Sequence, residues 1–183
     1  MKKIIVVSIV IILMGIGSVA FALSDDAIHD VTMQVNEIAL IDLNSAVAIT
    51  LTTNPPANGG EAPLGDSDAS KLLQYTSLVA SGVSRRISAQ WGATDAAPAG
   101  TSLLLEATSA PGGASAGQIT LSSTAQDLIT GIGSIATGTG ANGAALTYTF
   151  SIDNVSSLVV GANETVTITF TLPFFKFQRR LRA

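Results

Sequence analysis

Ala145-Leu146-Thr147-Tyr148-Thr149-Phe150-Ser151-Ile152-Asp153 and, after a short connection, Glu164-Thr165-Val166-Thr167-Ile168-Thr169-Phe170-Thr171-Leu172 alternate large apolar side chains with hydroxyls. Successive strand residues point to opposite faces. Each run therefore turns one apolar set inward (Leu146, Tyr148, Phe150 and Ile152; Val166, Ile168, Phe170 and Leu172) and a hydroxyl set outward. Thr, Val, Ile, Phe and Tyr also suit a pleated, half-buried surface. Two long antiparallel strands with one oily face each need a second layer to cover them, and the rest of the chain is read as supplying it.

Upstream of this pair the runs are shorter. Val31, Met33 and Val35 alternate with polar residues, then the pattern slips near Glu37, where Ile38, Leu40 and Leu43 take the inward positions. One extra residue moves every side chain to the other face, so the slip predicts a bulge or a bend. Ala46 to Thr52 predicts a strand through Val47, Ile49 and Leu51, ended by Asn54-Pro55-Pro56 and followed by a long loop from Asn58 to Asp68. Leu72 to Val79 and Ser84 to Trp91 flank Ser81-Gly82 and predict a hairpin, with Leu73, Tyr75, Ile87, Ala89 and Trp91 inward. Thr101 to Ala107 predicts a further strand, and Gln118 to Leu121 begins the next after the Pro111–Gly117 turn. Ser123 to Ile135 stays open between a strand and a short helix: Ser123 with Gln126 fits a capping box, while Gly131 and Gly133 would shorten any helix.

This spacing predicts an all-β fold, an antiparallel β-sandwich of Ig-like, Greek-key type with roughly eight or nine strands. The expected core is Val31, Val35, Leu40, Ile49, Ile87, Trp91, Leu105, Leu121, Tyr148, Phe150, Ile168 and Phe170.

Residues 1–22 read as a signal peptide. Lys2 and Lys3 precede an apolar run from Ile4 to Val19, and Ala20-Phe21-Ala22 supplies small residues for cleavage. The apolar run is ~16 residues, short of the ~20 that span a bilayer. Residues 23–173 form the predicted domain and 174–183 a basic, aromatic tail. There is no cysteine, so burial without disulfides is expected to hold the fold. Charged residues are only 12%, and their distribution is uneven. The body carries three bases, Lys71, Arg85 and Arg86, against all 13 acids of the chain, a formal −10. That excludes nucleic acid binding by phosphate neutralisation.

No catalytic constellation emerges. Gly138-Thr139-Gly140-Ala141-Asn142-Gly143 matches G-x-G-x-x-G, but a strand follows where a dinucleotide site needs a helix N-terminus, so a turn is expected. His29 is the sole histidine, too little for a triad or a His-based zinc site. No cofactor, small-molecule substrate or enzymatic activity is expected. Asp66 and Asp68 are the calcium candidates, weighed against a solvated acidic loop. Trp91 is the one tryptophan, suited to stacking a sugar or to core packing. Asn154-Val155-Ser156 and Asn163-Glu164-Thr165 match glycosylation sequons, expected as chance products of a Ser/Thr-rich chain. Arg85 and Arg86 would pair with acids of the same fold or of a neighbouring subunit. The tail offers Lys176, Arg179, Arg180 and Arg182 to an anionic surface such as lipid, or has no selected role.

Leu73-Gln-Tyr-Thr-Ser, Ser81-Gly-Val-Ser-Arg-Arg-Ile, Ser123-Thr-Ala-Gln-Asp-Leu-Ile-Thr-Gly-Ile-Gly and Leu146-Thr-Tyr-Thr-Phe give the region 27–172 a layout that resembles small exported bacterial β-sandwich proteins, pilin-like or coat-like surface subunits. The resemblance implies a structural role outside the cytoplasm, at the cell surface, in the extracellular space or in the periplasm, and assembly by strand exchange. It implies no site residues. Two functions follow as expectations: a self-assembling subunit of a surface filament or matrix, or a secreted carbohydrate- or calcium-binding module. For the first, residues 29–43 are the candidate strand, pairing within the chain or with a second copy.

Overall fold

A computed structural model describes residues 29–174, which belong to two units: 29–34 to the first and 35–174 to the second. The second unit holds ten strands: β1 (Ile38–Leu43), β2 (Asp66–Leu78), β3 (Arg85–Trp91), β4 (Thr101–Ala107), β5 (Ala114–Ser115), β6 (Ile119–Thr120), β7 (Gln126–Ile132), β8 (Ile135–Ala136), β9 (Ala144–Ile152) and β10 (Ile168–Thr171). The only helical element among the described residues is the 3-10 turn Val155–Ser157. The fold is all-β, and every pairing is antiparallel.

The strands divide between two sheets. The larger has the order β1-β2-β9-β4-β6, with β8 pairing beside β9 on the same edge of β2; the smaller has the order β10-β3-β7-β5. From β2 to β8 each connection passes from one sheet to the other. One buried cluster draws on both: Leu73, Tyr75, Leu105, Ala107, Ala144, Leu146 and Tyr148 from the larger sheet, and Ile87, Ala89, Leu128, Ile129 and Ile132 from the smaller. The period-two alternation of β9 and β4 supplies this core as the sequence predicts. In the register Leu105 lies opposite Tyr148 and Ala107 opposite Leu146. Gly143 enters β9 with φ +140°, and a Cβ there would meet the Leu73 carbonyl oxygen at 2.8 Å, so a side chain is excluded twice over.

Several expectations are corrected. Val31 and Val35 are exposed and belong to no strand. The Glu37 bulge therefore does not exist; β1 simply starts at Ile38. Pairing with β2 turns Ala39, Ile41 and Leu43 toward the core, so Leu43 faces in as expected, but it leaves Leu40 65% exposed on the outer face, the opposite side from that expected. Residues 46–52 form no strand: Ile49 and Leu51 pack against the core, but Val47 is exposed. The loop before β2 ends at Gly65, so Asp66 and Asp68 are strand residues. The predicted hairpin around Ser81-Gly82 is instead a crossing between sheets, since β2 and β3 do not pair. Residues 126–132 are extended, which decides the open segment: Gln126 uses its side-chain amide to donate to the Thr120 carbonyl, not to cap a helix. Of the Glu164–Leu172 run only Ile168–Thr171 is strand. The predicted leader and the tail beyond Phe174 lie outside the described residues.

Candidate functional site

Of the three bases of the body, two are inside it. Arg85 opens β3 with the same parity as Ile87 and Ala89, and its side chain has no solvent exposure. Its guanidinium donates to the Glu37 carboxylate, to the Ile38 carbonyl and, at 3.4 Å, to the Leu78 carbonyl. The Phe174 ring lies 5.6 Å from it, within cation–π range. One side chain thus joins the start of β1, the end of β2, the start of β3 and the chain beyond β10. Its Nε and the Ser77 hydroxyl are the two buried side-chain polar atoms without a hydrogen-bond partner among the described residues. The second acid–base pair, Arg86 with Asp127, spans β3 and β7 at 3.3 Å on the surface. Both arginines therefore pair within the chain.

Lys71 is the other buried cation, with the parity of Leu73 and Tyr75. Its Nζ donates to the Ser45 and Val47 carbonyls and so pins the irregular segment that follows β1. Asn44 adds to this: its backbone N–H donates to the Leu72 carbonyl and its Oδ1 accepts from the Leu72 N–H. Asp66 and Asp68 stand opposite Phe150 and Tyr148 on β9. Asp66 accepts from the Ser67 and Thr52 N–H groups. Asp68 accepts from the Ser70 hydroxyl at 2.6 Å and from its N–H at 2.9 Å, and these bonds hold its carboxyl below the usual range. Both candidate calcium ligands thus serve the local backbone. Among the described residues no three Asp, Glu, His or Cys side chains converge on one point.

The third feature is the outer edge of β1. Leu72 exchanges hydrogen bonds with Asn44, whereas Tyr75 exchanges them with Thr137 on the far side of β2. Even-numbered residues of β2 thus aim their backbone groups at β1 and odd-numbered ones away. In the β1–β2 register Leu40 faces Thr76 and Ala39 faces Ser77. The N–H and C=O groups of Ala39 and Ile41 therefore point out of the sheet. At Leu43 the ladder ends, because the Asp42 carboxylate accepts its N–H at 2.8 Å. Within the same unit Leu40, Val47 and Val35 are exposed apolar side chains.

The remaining candidates are structural. Trp91 is half-buried against the core at the end of β3, where its backbone N–H donates to the Ser122 carbonyl. Gly138–Gly143 is the turn into β9, bridged by the Gln74 side-chain amide to the Gly140 and Asn142 carbonyls. Asn154 caps the 3-10 turn, accepting from the Ser156 N–H and hydroxyl. Asn163 lies in an exposed connection, and His29 is exposed outside every strand. The inward placement of Arg85 and Lys71 escapes a reading that assigns charge to the surface, although the parity of their strands marks it. No protein-family model, curated protein or solved structure matches the chain.

Proposed function

We propose that the chain is an exported, non-enzymatic structural protein whose domain is an Ig-like, Greek-key β-sandwich and which self-associates through 29–43 as a subunit of a surface filament or matrix. The sandwich reading is supported by the single core shared between two antiparallel sheets and by connections that repeatedly change sheet. The self-association reading rests on one observation. Residues 29–37 carry apolar side chains at alternate positions, exposed and in no strand, and they lead directly into an edge strand with outward-facing backbone groups. Such an edge is a template for adding a strand. Export is supported by the composition of residues 1–22, and a surface contact by the basic residues of 174–183.

Sedimentation of the exported chain, unmodified and as an Ala39→Pro variant that blocks the outer edge of β1, tests the assembly. Concentration-dependent association of the unmodified chain, lost in the folded variant, is the expected result. An unmodified chain that stays monomeric at high concentration overturns it. Saturable calcium or glycan binding that disappears in the Asp66→Asn, Asp68→Asn double variant would put a binding module in its place.

A further inference from the structure

We infer that the edge of β1 pairs with the same edge of a second copy, antiparallel, about a two-fold axis through Leu40. The inference rests on the self-association reading above and gives that contact a partner, a direction and a register.

The geometry of the edge is self-complementary. Only Ala39 and Ile41 present both outward N–H and C=O groups before the Asp42 carboxylate closes the ladder at Leu43. Two residues spaced by two, one on each side of Leu40, are what an antiparallel two-fold pair requires. Ala39 exchanges both bonds with Ile41 of the second copy, and Ile41 with its Ala39. Leu40 then meets its own counterpart in a non-hydrogen-bonded pair, where side chains on one face approach most closely. Leu40 shares the outer face of β1 with Ile38 and is 65% exposed in the single chain. The one charge on the strand does not oppose itself, since Asp42 falls opposite Ile38 of the second copy.

The absence of cysteine makes the test clean. Single-cysteine variants of the exported chain are oxidised mildly and the covalent dimer is measured. Leu40→Cys is expected to cross-link efficiently, because a non-hydrogen-bonded pair holds Cα atoms about 4.5 Å apart, inside disulfide range. Asp42→Cys alone is expected to remain monomeric, its counterpart being roughly 13 Å away along the strand. A mixture of Ile38→Cys and Asp42→Cys chains is expected to form the heterodimer. Ala39→Pro is expected to abolish the Leu40→Cys cross-link while leaving the circular dichroism unchanged, since the lost N–H faces away from β2. Association of the unmodified chain with equal cross-linking at positions 40 and 42 would overturn the two-fold register and leave self-association standing. A chain monomeric throughout would overturn both.

Discussion

At Arg85 an ion pair sits where one partner is sealed and the other is not. The arginine side chain is fully buried, while Glu37 keeps 26% of its side-chain surface. A buried pair costs desolvation, and removing one partner strands the other. The two halves are therefore unequal. Glu37→Gln leaves a guanidinium inside with only carbonyls to neutralise it, and should cost about 3–5 kcal/mol of unfolding free energy in urea titrations. Arg85→Met leaves a carboxylate that can turn to water and should cost less. The opposite order would mean that the guanidinium reaches solvent. The two tyrosines give a second prediction. Burial pushes the Tyr75 phenol up to about 12, and burial together with the Asp68 charge pushes Tyr148 higher still. Their ordinary value is 10.0, so above it the unfolded chain loses protons that the folded chain keeps. Stability contributed by these groups is complete below pH 10, declines as the pH rises toward about 12, and never increases in that window. Ultraviolet titration should therefore show little tyrosinate at pH 10 and then its appearance together with unfolding.

At the scale of the element, β2 decides where the chain departs from its sequence pattern. Its second half alternates cleanly, and Leu73, Tyr75 and Ser77 are buried as their period predicts. Its first half, with a register shift between Asp68 and Lys71, breaks the period, and the acids there read as loop. The segment facing it, 44–54, has strand-like apolar spacing but is held by the side chains of Asn44 and Lys71 instead of a ladder, so alternation alone overstates it. β9 and β4 were legible because both flanking strands bury the same parity. The outer edge of β1 was legible only as an apolar run, since whether Leu40 faces in or out depends on pairing with a strand over thirty residues away. Gly65 tests the β2 entry. A Cβ there would be driven into the Phe150 carbonyl oxygen, which is backbone and cannot step aside. Gly65→Ala should cost about 3 kcal/mol, at the upper end of ordinary substitutions, and hydrogen exchange should rise first at the Asp66–Phe150 end of the β2–β9 pair.

Over the whole molecule, charge works against assembly. Each body carries 13 acids against three bases, and with Arg85 and Lys71 buried only Arg86 offers a cation at the surface. Two such bodies repel at long range, and salt screens that repulsion over about 10 Å at 0.1 M. Self-association through β1 should therefore strengthen as salt rises, unlike a contact made by the basic residues of 174–183 to an anionic surface, which should weaken. Dissociation constants measured across a salt series separate the two by sign.

Arg85 also sets how the body would carry a mechanical load. It holds Glu37 and Ile38 where the chain enters and Phe174 where it leaves, so both ends emerge at one corner. Tension between those ends would peel β1 and β10 away from that corner, breaking bonds in sequence, with no strand sheared along its length. A body pulled by its ends should yield at low force, beginning with the loss of the arginine clasp, whereas one gripped along the β1 edge would hold.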